Sequence, residues 1–295
     1  MGYLFLCIAL LAGVTKGYCG KRTSGYIHTF HDALLANSIR MILCAVIGFL
    51  LIIPTENGNE LVINRRLLLI SALSGASTAI FVVTWLILVK KSTYMLLDIF
   101  LMLGILVPLA AGYLFFDEPV KVTQWLGIAV LFLAVFLMYS HNNAVKEKLS
   151  FSSAVLLVVC GAANGIADFS QKLFIKSMPD GSAVVFNFFT YVFAAVILTG
   201  LFAVTHKKEN AASEADIKKI FGFVFFMAVC LFANSYFKTL AAGQLSAVLL
   251  YPLHQGGSLI LSGIMSAALF REKLTGKGLI GMVAAFVGLL IINLL

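Results

Sequence analysis

Three ionisable residues stand in the middle of long apolar runs: Lys16, Asp98 and Asp168. A charge at the centre of a lipid-facing helix costs roughly 2.5–3.5 kcal/mol on insertion scales. Three such costs approach the net stability of a whole domain, about 5–15 kcal/mol. These side chains are therefore expected to face a wet interior, where they can hold a polar solute or carry a proton. Lys172 and Lys238 lie nearer the ends of their runs, where snorkelling to the interface is the expected fate. Arg40 has both options open, snorkelling or lining the interior. Asp168 and Lys172 are four apart with the acid first, a spacing at which the two can neutralise each other along one helix.

Polar residues recur around these charges at helical spacing. Tyr251, His254, Gln255, Ser258 and Ser262 fall on one side of a single helix; so do Gly161, Asn164, Gly165, Asp168 and Lys172. A third stripe holds Ser71, Ser74, Gly75, Thr78 and Trp85. Shorter sets are Asn187, Thr190 and Tyr191, and then Asn234 and Lys238. Small hydroxylated residues also occur where membrane helices touch, and that reading is preferred for the stripes of Ser71 and Asn187. Tyr251, His254 and Gln255 are too large and polar for close packing alone, so their stripe is read as cavity lining. The candidate substrate-binding set is thus Lys16, Trp85, Asp98, Asn164, Asp168, Lys172, Asn234, Lys238, Tyr251, His254, Gln255 and Ser258. Its cations (Lys16, Lys172 and Lys238) outnumber its acids, which points to a solute bearing a carboxylate. His254, Asp98 and Asp168 are candidate proton carriers.

Other chemistry finds little support. No Gly-rich phosphate loop, no G-x-S-x-G elbow and no H-E-x-x-H is present. His28, His31 and Asp32 have metal-ligand types but sit at a membrane interface, where polar residues are ordinary. Neither a metal nor a cofactor is expected. Cys7, Cys19, Cys44, Cys160 and Cys230 are scattered through apolar runs and read as small packing residues. The net charge of +8 is spread over span ends with no aromatic interleaving, so anionic lipid headgroups rather than nucleic acid are its partner.

The elements that must position these residues are membrane helices. The hydrophobic fraction is 61% and the charged fraction 12%, against roughly half and a quarter in soluble domains. A helix needs about 20 apolar residues to cross a bilayer. Ten runs qualify: 3–22, 32–53, 67–89, 93–115, 121–140, 151–176, 182–204, 217–240, 244–269 and 275–294. The first lacks a basic leader and a small-residue cleavage site, so it is expected to remain as a span. Pro108 and Pro252 fall inside the fourth and ninth, where each frees a backbone carbonyl and can kink the helix.

The chain also repeats itself. Phe115-Phe116-Asp117-Glu118 followed by Gln124-Trp125-Leu126-Gly127 returns as Leu269-Phe270-Arg271-Glu272 followed by Leu279-Ile280-Gly281. Glu118 to Glu272 and Gly127 to Gly281 are both about 154 positions apart. Thr93 to Leu97 aligns with Ser246 to Leu250, and GxxxG pairs occur at Gly13 and Gly17 and at Gly161 and Gly165. The halves are expected at 1–140 and 141–295. With five spans each, an odd number, they must lie inverted in the membrane, with a cavity between them near the midplane.

Two five-span halves, Arg40 early in the second span, and the repeated Glu-to-Gly spacing resemble the drug/metabolite transporter superfamily, EamA type. The resemblance covers nearly the whole chain. It implies a ten-helix carrier of small polar metabolites, often an exporter, with cytoplasmic termini. Asp117-Glu118-Pro119 departs from the family pattern, which more often has Gly before the Glu and a basic residue after it. The lysine and arginine bias of the connections points the other way on orientation, with both termini outside. The fold expected is an all-α integral membrane protein in the plasma membrane of a bacterium, as a monomer or homodimer. Its expected activity is secondary transport of amino acids or organic acids by alternating access, with a proton as candidate coupling ion. The alternatives are a multidrug exporter of lipophilic cations, an integral membrane enzyme acting on lipid or isoprenoid, and a membrane scaffold.

Overall fold

The computed structural model describes residues 1–55, 63–91, 101–102, 104–140, 151–205, 214–270 and 276–294. Ten helices follow one another among the described residues. They are α1 (Gly2–Ser24), α2 (Phe30–Thr55), α3 (Arg65–Lys91), α4 (Leu106–Phe115) and α5 (Val122–Ser140). After these come α6 (Phe151–Ser177), α7 (Ala183–Thr205), α8 (Glu214–Ala242), α9 (Ala247–Phe270) and α10 (Gly276–Leu294). Six of the ten (α1, α2, α3, α7, α8 and α9) contain a stretch long and apolar enough to cross a membrane. In hydrocarbon every backbone polar group must be satisfied within the protein, and a helix does this segment by segment. Leu11, Phe49, Leu133, Val196, Phe225 and Phe286 stand exposed along the bundle, an outer surface suited to lipid.

Local sequence sets several helix starts. Thr29 and Asp32 make a reciprocal capping box before α2: the Thr29 hydroxyl accepts from the Asp32 N–H at 3.1 Å, and the Asp32 carboxylate accepts from the Thr29 and His28 N–H groups at 2.9 Å. Asp32 therefore serves a helix end. Among the described residues no group of three His, Cys, Asp or Glu stands together. The Asn64 side chain accepts from the Leu67 N–H at 2.8 Å and caps α3.

The ten helices interlock. The most extensive packing joins α1 to α8, α5 to α10, α2 to α7 and α3 to α6. Smaller contacts join α4 to α6 and α9 to α1. Two apolar cores result. One is built on α2, α3, α7 and parts of α6 and α8, with Phe174 stacked on Phe186. The other gathers α5, α9 and α10 around Leu131, Leu250 and Ala285.

The expected fourth span, 93–115, is not one continuous helix. Residues 92–100 and 103 lie outside the described residues, and a turn at Gly104 and Ile105 precedes α4. Two causes combine. Pro108, in the first turn of α4, has no N–H to bond the Gly104 carbonyl, which accepts instead from Val107 at 3.2 Å. In addition, Gly104 presses its backbone against α6 between Gly161 and Gly165, so closely that a Cβ at Gly104 would run into the Gly161 carbonyl and one at Gly165 into the Gly104 carbonyl. The α6 glycine pair is thus a seat for the fourth segment. Gly13 of α1 instead makes room for the Asn234 amide of α8. Gly13 and Gly165, one from each GxxxG pair, therefore face different partners.

Gly104→Ala should therefore lower the unfolding midpoint of the purified protein through overpacking worth about 1–3 kcal/mol. Gly200→Ala, which meets nothing within 4 Å, should leave the midpoint unchanged or raise it. Equal effects of the two in a thermal melt would contradict this account of the α4 break.

Candidate functional site

Asp168 is the centre of the polar interior. It lies on α6, 1% exposed, in a bundle whose outer face is apolar. One carboxylate oxygen meets the Lys238 ammonium of α8 at 2.5 Å. The other, Oδ2, has no hydrogen-bond partner. The Tyr251 hydroxyl of α9 donates to the Asp168 backbone carbonyl at 2.7 Å. Three helices of the second half are thus fastened at one residue.

Lys238 is 5% exposed and Lys172 2% exposed, so neither snorkels as expected. The expected pairing of Asp168 with Lys172 along α6 does not occur either. The acid is bound across helices by a lysine 70 positions away, because the α8 ammonium reaches it from the facing side while Lys172 is drawn to the end of the bundle.

Around this pair a chain of amides and hydroxyls crosses the second half. Gln171 of α6 donates to the Ser235 hydroxyl of α8 at 3.0 Å, and Ser235 donates to the Asn187 carbonyl oxygen of α7 at 2.6 Å. Asn187 donates to the Ala183 carbonyl at 2.8 Å and to the Thr239 hydroxyl at 3.4 Å. Nearer α1, the Asn234 amide donates to the Ala9 carbonyl at 2.6 Å and lies 3.0 Å from His254 Nε2. Lys16 is half-buried on α1, its ammonium 5.5 Å from the centre of the Phe81 ring and within electrostatic reach of Asp168 and His254.

The structure therefore brings Lys16, Asp168, Asn234, Lys238, Tyr251 and His254 to one polar interior. Asn164 lies one turn before Asp168 on α6, buried, with an amide nitrogen that has no partner. Gln255 is buried and Ser258 half-buried further along α9. Trp85 is buried on α3 with its ring over Gly20 of α1. Asp98 lies outside the described residues. Gln171, Ser235 and Thr239 were not singled out from the sequence. The signal was present: Asn234, Ser235, Lys238 and Thr239 follow the same helical spacing as the stripes that were read.

A second cluster closes one end of the bundle. Glu118, in the connection from α4 to α5, binds the Lys172 ammonium at 2.9 Å and that of Lys176 at 3.3 Å. Its other oxygen accepts from the Ala247 N–H, at the start of α9, at 2.7 Å. Lys172 also donates to the Ala242 and Leu245 carbonyls where α8 gives way to α9, at 3.1 and 2.8 Å. An acid thus caps a helix start and a cation a helix end, each complementing the local dipole. Asp117 holds the turn with φ of 50°, in the left-handed region. A cavity of about 620 Å3 opens here between the Glu118–Lys172 pair and the Gln244–Ser246 turn. Burial raises the Glu118 pKa, but the Ala247 N–H and the two lysines outweigh it and hold the carboxyl below its ordinary value.

The bundle of apolar helices has counterparts among known proteins. Residues 151–294 match the model of the EamA-like transporter family. The second half of the chain is similar to that family. A solved crystal structure of a protein superposes on 99% of this chain and 96% of its own, with a TM-score of 0.72 at 10% identity, which supports the fold. Among curated proteins there is no match. Residues 151–294 thus resemble a family of membrane transporters, and six helices among the described residues are long and apolar enough to cross a membrane. Members of the EamA-like family are transporters, not enzymes.

Two outcomes follow. Asp168→Asn leaves the Lys238 ammonium buried without its counter-charge and should cost about 3–5 kcal/mol. Asp168→Asn with Lys238→Met should recover much of that loss, and a double variant no more stable than the single one would contradict the pairing. For Glu118, the folded pKa lies below the unfolded one, so its stabilisation is complete above the ordinary carboxylate range and is lost as pH falls through the folded value. Glu118→Gln should destabilise by about 1–3 kcal/mol at neutral pH. In thermal melts that gap should close at acid pH; a gap independent of pH would refute it.

Proposed function

We propose that this protein is a secondary carrier of small polar metabolites bearing a carboxylate, such as amino acids or organic acids, and that it works as an exporter in a bacterial plasma membrane. The observation that carries this reading is the Asp168–Lys238 pair, buried with Tyr251 among unpartnered polar atoms in a bundle whose outer face is apolar. A purely structural bundle gains nothing from burying charge, since such pairs seldom outperform apolar packing. Intramembrane ionisable residues ordinarily mark a solute path.

In this reading the halves 1–140 and 141–295 are inverted repeats that rock about the polar interior. The helix pairings are consistent with it. Adding or subtracting five turns the pair α1–α8 into α6–α3 and the pair α4–α6 into α9–α1, while α2–α7 and α5–α10 map onto themselves. Internal symmetry of this kind supplies what a dimer of smaller carriers would supply, so a monomer suffices. His254 and Asp168 are the candidate proton carriers that would couple export to an ion gradient. Lys16 and Lys238, both acting on Asp168, favour an anionic solute over the lipophilic cation of a multidrug exporter.

Flux in proteoliposomes decides the question. Labelled amino and organic acids should cross unchanged and saturably, and Lys16→Ala and Lys238→Ala should each slow the flux at least about tenfold. Carboxylate flux intact in both variants would end the carboxylate reading. Rates indifferent to an imposed pH gradient would remove proton coupling.

A further inference from the structure

Arg40 stands apart from the charges described so far. It lies on α2, 2% exposed, and its Nε has no hydrogen-bond partner. Its neighbours one turn either side are satisfied. Asn37 donates to the Val82 carbonyl of α3 at 3.2 Å, and Cys44 donates through sulfur to the Ala228 carbonyl of α8 at 3.4 Å. The face carrying Asn37, Arg40 and Cys44 therefore turns inward, and Arg40 does not snorkel. The titratable groups within its electrostatic reach among the described residues are Cys44 and Tyr191, neither a carboxylate. Tyr191 spends its hydroxyl on the Leu231 carbonyl at 3.2 Å. Cys44 also feels Lys16 of α1, so the Arg40 face borders the polar interior.

A guanidinium offers five donors in a planar fork matched to a carboxylate, and it cannot shed its charge as a lysine can. Burying one with no acid beside it is costly unless something else supplies the counter-charge. We infer that Arg40 is an anion-binding subsite that takes the carboxylate of a bound solute, separate from the Asp168–Lys238 pair. The inference rests on the carrier reading for the identity of the solute. It does not rest on it for the binding itself.

The subsite differs from a structural arginine in two measurable ways, both read on the full-length protein in detergent. Without ligand, Arg40→Gln should be at least as stable as the parent, because it removes an uncompensated buried charge. With sodium acetate, and sodium chloride at equal ionic strength as the control, the parent's unfolding midpoint should rise with acetate alone. Arg40→Gln should not respond. Arg40→Lys, which keeps the charge and loses the fork, should need about tenfold to a hundredfold more acetate.

An Arg40→Gln protein that is less stable without ligand, or that responds to acetate like the parent, overturns the inference. So does an equal response of the parent to chloride and acetate, or no response at all. An acetate response that Arg40→Gln abolishes stands even if liposomes show no flux, in which case only the carrier reading fails. Carboxylate flux with an unchanged KM in Arg40→Gln removes the subsite and leaves the carrier.

Discussion

Hydrocarbon does not tolerate a charge left alone, and the architecture of the second half answers to that constraint. Asp168 on α6 is held by Lys238 of α8, while Tyr251 of α9 fastens the backbone beneath it. Three helices are thereby given a fixed register relative to one another by two contacts. Amides and hydroxyls then spread from this point through Gln171, Ser235 and Asn187 to α7, and through Asn234 to α1. Each link satisfies a group that lipid could not. The leftover atoms, among them Asp168 Oδ2 and the Asn164 amide, mark where the protein has polar capacity and no use for it in folding.

The same logic governs the end of the bundle. Helix ends expose carbonyls and N–H groups, and at the α8–α9 turn these are capped by Lys172 and Glu118 rather than by water alone. Glu118 comes from the first half, while its partners Lys172, Lys176 and Ala247 come from the second. The connection from α4 to α5 is therefore a strut between halves. Close backbone contact at Gly104, Gly161 and Gly165 places the fourth segment beside α6 and brings the strut within reach.

The helices themselves were legible in the sequence, because apolar length is a local property. The seventh run was expected at 182–204 and α7 is Ala183–Thr205; the second was expected at 32–53 and α2 is Phe30–Thr55. The polar stripe of α9 was legible for the same reason, since helical spacing alone aligns Tyr251, His254 and Gln255. What the sequence concealed were choices made between helices. Spacing offered Lys172 to Asp168, whereas the fold supplied Lys238 from 70 positions away. Position near a run's end suggested snorkelling for both lysines, but acids and carbonyls brought in by other elements kept them inside. Pro108 announced a kink in the fourth span, but a hydropathy window sees nothing of the α6 backbone that presses on Gly104 and shares in the break. Nothing local in the sequence marks Glu118 as a strut, because its two lysines and the start of α9 lie in the other half of the chain.

The central claim is that water or solute, not lipid, meets the side chains around Asp168. Thiol accessibility tests it most directly. In a cysteine-free protein in intact membranes, a single cysteine replacing His254 or Gln255 should react with a small hydrophilic thiol reagent and be slowed by bound solute. One replacing Phe286, on the exposed apolar surface of α10, should stay unreactive. Reaction at Phe286 with silence at both α9 positions would contradict the account.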